Sequence, residues 1–531
     1  MHSLPMRSSP TGTQIDTRPL YIEEWLDSLP YIDFKKTSQL LYEATRLTNE
    51  QALKPAVRLE LVELYGRPYQ YYIDSQIKAG AQHTLQSIET MQGQIQILKK
   101  IAFNLGLACK VSAEETLKKK TLWGQTRPPL LNLLLSLNYL SHVLIFSFLE
   151  YAPTPKNVWH EINFIYAFAE SLGQENNIQV LPKTHSKQGA TSIAQAYKRI
   201  VLAALADPHH LPYGAIWEIF EQLQSWVDLV KISKFSMPDD PSCQFITKLD
   251  TDSPPLPYVK FDTSNGSDKH RMLDGAQLTL QIQSKLSILE KGGNLDNSVH
   301  LSPYFAKLIL GHMARSWGLP SKRTNPRKER EGTVEIACGL NAAYYFLNNE
   351  KEFSVTTDDH ADEAGHHGVD SSREVTPLEN YKVDQWSMVD QSSRGFAVIK
   401  NIKPTYQVRV GDLIIINTRN PSSKWAIGVI RWLMIRQSQI YKIGVQILSV
   451  KTVPGAVRAR SGSSLDTQYR RALLTQDQTG KQCTSVITSK GMYINNRELE
   501  IMQGTILYKA NAGNLLESTT GFEQFNIINP A

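Results

Sequence analysis

The stretch SMVDQSSRGFAVIK, Ser387–Lys400, decides how the second half of this 531-residue chain is read. Two runs with strand character flank a polar knot in which Asp390, Ser392 and Gly395 stand at the spacing DxSxxG. A plain hairpin turn needs only residues that tolerate the bend. A carboxylate and a hydroxyl at fixed offsets add acceptors, and a glycine allows a backbone approach that a side chain would block.

Outward from this knot, GTVEIACGL, GFAVIKNI, VGDLIIINT, WAIGVIRWLMI, YKIGVQILSV, TSVITSKGMYI, TILYKA and FEQFNII are short, rich in Val and Ile, and separated by Gly, Pro or Asn turns. Many short strands at this spacing predict antiparallel β structure closed as a small barrel. Residues 20–315 have a different texture. Leu98, Ile101, Leu105 and Ala108 recur at steps of three and four, one apolar stripe of an amphipathic helix, and similar stripes follow Leu40 and Val57. Breaks at YGRPYQ, QTRPPL, YAPTPK, ADPHHLPYG and MPDDPS punctuate the helices.

The expected fold class is therefore α+β and multidomain. Residues 1–18 are read as a disordered lead and 19–315 as an all-α domain, with a linker near 251–270. Residues 320–460 are read as a small antiparallel barrel carrying a polar insertion at 349–384, and 465–531 as a small β extension or degenerate second β unit.

Bulk composition narrows the function classes. A net charge of +6 and 20% charged residues do not imply general polyanion binding. Cys109, Cys243, Cys338 and Cys483 stand far apart with no metal-ligand spacing, so no metal is expected and a reducing cytoplasmic location is. The N-terminus has no apolar signal core. Leu130–Glu150 has the length of a membrane span, but Asn132, Ser136, Asn138, Ser141, His142 and Ser147 interrupt it and favour a buried core helix. The patterns GxxxxGK[ST], GxGxxG, HExxH, GxSxG, GGDEF and EAL are absent, and no catalytic role is expected.

The junction SKRTNPRKERE supplies the counterpart of the polar knot. Lys322, Arg323 and Arg327 lie on a segment that Pro326 steers away from helix. Each guanidinium is a planar fork of donors suited to a phosphate or to the O6/N7 edge of guanine. Asp390, on the other side, can accept from guanine N1 and N2.

RxxxR at Arg323–Arg327, DxSxxG at Asp390–Gly395, and the runs VRVGDLIII, WAIGVIRWL and YKIGVQIL together resemble a PilZ domain, the bacterial receptor module for cyclic di-GMP. The resemblance covers about 140 residues, 320–460. It implies a six-stranded barrel in which Arg323 and Arg327 grip the nucleotide while Asp390 and Ser392 bind guanine on the barrel surface; Lys322, beside the arginines, and Gly395 are expected at the same site. The chain is then expected to be a cyclic di-GMP effector whose helical domain passes the bound state to a protein partner, with no nucleic acid or membrane span involved. The alternative is a PilZ-like barrel that serves protein interaction without nucleotide.

One departure from the family is the longer separation of the two motifs. Residues 350–374 hold eight acidic and two basic side chains, and such a run is expected to stay a solvated insertion, which costs little because loop closure grows logarithmically with length. Folded over the arginine loop, it would compete with an anionic ligand. Deleting residues 350–374 is then expected to tighten cyclic di-GMP binding at low salt; unchanged affinity at low salt would dispose of that competition.

Overall fold

The computed structural model describes residues 6–7, 14–78, 88–118, 128–182, 189–301, 303–318, 327–353, 381–420, 423–436, 439–460, 468–476 and 483–528. It divides into two compact units, Met1–Lys322 and Arg323–Ala531.

In the first unit, ten α-helices among the described residues run from Pro19–Asp27 to Pro303–Trp317. Leu130–Leu149, long and apolar enough to cross a membrane by length and composition, is a core helix here. Its Leu137, Leu144 and Phe146 share one apolar cluster with Leu98, Ile101 and Leu105 of Ile88–Lys118 and with Trp217 and Phe220 of Ala215–Trp226. Its polar residues explain how it can do so. Ser136 Oγ donates to the Gly106 carbonyl at 2.9 Å, Ser147 Oγ to the Val143 carbonyl at 2.9 Å, and His142 Nδ1 lies 3.0 Å from the Tyr69 hydroxyl. Left unpaired in the interior, each such group would cost about 1–3 kcal/mol.

The helical region also carries an element that the all-α expectation lacked. Lys231–Lys234, His270–Asp274, Gln244–Lys248 and Leu256–Pro257 pair in that order as a four-stranded antiparallel sheet. This corrects the reading of 251–270 as a linker: the segment carries the edge strand Leu256–Pro257 and two 3-10 turns. The strands are anchored by Phe245, Ile246, Met272 and Leu273, all buried. Pro257 is tolerated because an edge strand has one side free of the ladder. Part of the expected lead is also structured: Met6–Arg7 pairs with Gln14–Ile15, and Ile15 is buried. The rest of residues 1–13 lies outside the described residues.

The second unit contains two closed barrels. The first has strands β1 (Lys328–Glu329), β2 (Thr333–Cys338), β3 (Asp384–Ser392), β4 (Gly395–Lys400), β5 (Leu413–Asn420), β6 (Ser423–Arg436) and β7 (Ile440–Ser449). Their order is β2-β5-β6-β7-β4-β3, closed by β2 on β3, with β1 added outside β3. Trp386, Phe396, Val398, Ile443 and Val445 are buried. Alternation along β4 and β7 puts the last four on one face, the barrel interior.

The second barrel is β8 (Thr452–Ala459), β9 (Arg470–Gln476), β10 (Cys483–Thr488), β11 (Glu498–Gln503), β12 (Ile506–Ser518) and β13 (Glu523–Ile528), closed in the order β8-β9-β10-β13-β12-β11. The strands expected after residue 465 thus complete a six-stranded barrel around Leu474, Val486, Leu499, Ile501 and Phe525. That barrel begins at Thr452, so the boundary falls between Ser449 and Thr452 instead of near 460. The barrels meet through Ile415, Ile427 and Val429 of the first and Leu473, Ile487 and Phe522 of the second, with Ala342 and Ala343 of the helix Leu340–Leu347 in the same cluster.

Candidate functional site

Asp390 reaches the outer face of the first barrel because β3 is irregular. Met388 pairs with Val398 and Asp390 with Ala397, so Val389 is an extra residue, a β-bulge. In a regular strand Asp390 would share the face of Trp386 and Met388, which is the core face. The bulge reverses the alternation and carries Asp390 and Ser392 outward. Two cross-strand rows on that outer face follow from the register. One runs Asp390, Ala397, Gly444, Trp432; the other runs Ser392, Gly395, Gln446.

The first row ends in an aromatic surface. A Cβ on Gly444 would lie 1.9 Å from Trp432 Nε1, so the indole occupies the place that a side chain at Gly444 would take. Trp432 is half-buried. In the second row, Ser392 Oγ donates to the Gly395 carbonyl at 3.1 Å, clasping the hairpin and leaving its lone pairs as acceptors. Gly395 answers to close approach: a Cβ there would stand 2.1 Å from the Val445 carbonyl oxygen on β7.

The segment from Arg327 to Arg330 lies beside this face. Lys328 and Glu329 pair with Gln391 and Asp390, and the Arg330 amide donates to the Val389 carbonyl at 3.4 Å. Arg327, one residue before β1, consequently meets Asp390, with Nη1 3.3 Å from Oδ2. Arg330 Nη1 donates to Gln391 Oε1. Arg327 is 39% and Asp390 20% exposed at the side chain, so water screens their pair and holds its worth to about 0–1 kcal/mol. The other carboxylate oxygen, Asp390 Oδ1, is buried and accepts no hydrogen bond among the described residues. That is a costly state for an acceptor, and it fits a donor-bearing ligand.

Of the expected site residues, the structure brings together Arg327, Asp390, Ser392 and Gly395. Lys322 and Arg323 lie outside the described residues, as does the acidic run beyond Phe353. Before that point Glu352 lies 3.8 Å from Arg471 on β9. Trp432 and Gly444 stand in strand-like runs, and the sequence pattern assigns neither a role. The available signal was an aromatic residue opposite a glycine in neighbouring strands, where the ring covers the bare backbone. No motif residue lines the cleft of about 690 Å³ among Cys338, Asn341, Tyr406, Ser489 and Gly521. The motif residues form a surface platform instead.

Three family models match the chain. "Cyclic-di-GMP receptor FimW, N-terminal domain" matches residues 21–239. "Cyclic-di-GMP receptor FimW, middle PilZ domain" matches 244–377 and 360–454, spans that contain Arg323, Arg327 and the DxSxxG residues. The middle of this chain is a PilZ domain. "FimW C-terminal beta-barrel domain" matches 455–528, the span of the second barrel. A curated relative, the Cyclic-di-GMP receptor FimW of Pseudomonas aeruginosa, is 21% identical over 528 residues, covering 88% of this chain and 83% of the relative. The match to the middle PilZ model begins well upstream of the PilZ barrel, at the strand Gln244–Lys248 of the helical unit.

Proposed function

We propose that the chain is a bacterial receptor for cyclic di-GMP, without catalysis of its own, and that the nucleotide lies on the outer face of the PilZ barrel. The observation that carries this reading is Asp390, whose buried Oδ1 has no donor among the described residues while its Oδ2 meets Arg327. Guanine presents two adjacent donors, N1–H and N2–H, that a carboxylate accepts side by side. Ser392 adds a hydroxyl at the rim of the same base, and Trp432 offers a ring on which it stacks. Arg327, with Arg323 and Lys322, would turn to the phosphates and to the O6/N7 edge, charge-assisted contacts that surface water weakens less once the ligand covers them.

Because the arginine loop joins the two compact units, nucleotide that pins it to the barrel would bias how the units are held. A protein partner reading the helical unit would sense that bias. The cytoplasm, where the second messenger is made, is the location this reading requires.

Replacing Trp432 by alanine is expected to weaken binding about tenfold, since stacking on an aromatic ring contributes about 1–3 kcal/mol per base. Isothermal titration with cyclic di-GMP measures it, and full affinity in that variant would remove Trp432 from the site. The same titration of the unmodified chain separates the receptor from a PilZ-like interaction module, which would give no saturable heat.

A further inference from the structure

The outer face that carries Asp390 and Ser392 continues past them. Gln446, paired with Gly395 and on the same face, accepts from Arg431 Nε at 2.7 Å through its Oε1. The remaining two nitrogens of Arg431 donate in parallel to Glu517 on β12, at 3.0 and 2.7 Å. Glu517 belongs to the second barrel, so one guanidinium ties the nucleotide face to the C-terminal barrel. Its position is set by a bulge: Ile430 pairs with Val445 and Trp432 with Gly444, leaving Arg431 as the extra residue directly before the stacking ring. Behind it, Val429 is buried in the cluster shared by the two barrels. Arg431 and Glu517 are 34% and 22% exposed at the side chain, so both can be reached from solvent where the covered face gives way to the open one.

We propose that Arg431 is a further nucleotide-binding residue, a third arginine supplied by the barrel itself, and that Glu517 of the C-terminal barrel competes for it. The proposal rests on the reading of this face as the cyclic di-GMP site. A phosphodiester or the O6/N7 edge of guanine presents the same pair of acceptors as Glu517 does, and suits the same fork of donors. A base stacked on Trp432 brings those acceptors next to the residue that precedes Trp432 in the chain. Gln446 steadies Nε, so the terminal nitrogens can change partner with little loss of order. Moving them from Glu517 to ligand would loosen one tie between the barrels. By reciprocity, whatever strengthens that tie weakens nucleotide binding.

Titration calorimetry of the full chain with cyclic di-GMP, on Glu517→Gln, Arg431→Ala and the double variant, tests this. Glu517→Gln is expected to bind about fivefold tighter, because it frees the arginine and removes a negative charge from beside the phosphates. Arg431→Ala is expected to bind about tenfold weaker, and the double variant to match Arg431→Ala. Unchanged or weaker binding by Glu517→Gln overturns the proposal, because it makes the pair a structural tie only. This outcome remains readable if Arg431→Ala fails to fold. If the unmodified chain binds and Arg327→Ala does not, while Glu517→Gln and Arg431→Ala bind normally, the proposal for Arg431 fails and the site stands. No binding by the unmodified chain refutes the site itself.

Discussion

Replacing Arg327 by alanine is expected to raise the Kd for cyclic di-GMP by about two orders of magnitude or more. Two charge-assisted hydrogen bonds from one guanidinium contribute about 1.5–3 kcal/mol each, and every 1.4 kcal/mol is tenfold in affinity. The fold should be indifferent to the change. Arg327 is 39% exposed and its ion pair to Asp390, at 3.3 Å, lies in screened surroundings, so losing that pair shifts stability by about 1 kcal/mol at most. Asp390→Ala should weaken binding by a similar factor through the opposite half of the site, since guanine N1 and N2 lose their acceptor. Paired calorimetry and thermal melts check both: lost affinity with an unchanged melting point is the expected pattern. Normal affinity in both variants would remove the two motifs from the binding site.

Gly395→Ala should damage fold and site together. The added methyl would stand 2.1 Å from the Val445 carbonyl oxygen, a backbone atom of β7. A flexible side chain could move aside, whereas a strand held on both sides in a closed barrel cannot give way without losing ladder bonds. Overpacking of this kind costs about 1–3 kcal/mol. The hairpin clasp from Ser392 to the Gly395 carbonyl would shift with it, so binding should fall as well. Chemical denaturation and titration on the same preparation report the two losses. Native stability with native affinity would mean that β4 and β7 are not held so close.

Much of this was legible because the pattern was strong. Steps of three and four exposed the helices, and alternating Val and Ile runs exposed the barrel strands. Short range explains what escaped. Leu256–Pro257 spans two residues amid Pro, Asp and Ser, too few to show alternation. Arg470–Gln476 and Glu498–Gln503 begin and end in polar residues, and only their middles, Ala472–Thr475 and Leu499–Ile501, are buried. The second barrel therefore read as an extension.

At the site, the motif named Asp390 and Ser392, but no local feature announced the bulge at Val389 that turns them outward. Nor did one show that Trp432 would cover Gly444, because that depends on the register of β6 against β7. The pairing of Arg431 with Glu517 joins residues 86 positions apart in two different barrels, and only a folded chain reveals it.

The central claim is that the platform around Asp390 binds cyclic di-GMP and not nucleic acid or nothing. Equilibrium binding of labelled cyclic di-GMP to the full chain, competed with unlabelled cyclic di-GMP, GTP or single-stranded DNA, tests it most directly. Saturable binding displaced by cyclic di-GMP alone is the predicted result. Absence of saturable binding by folded protein, or displacement by DNA, would contradict it.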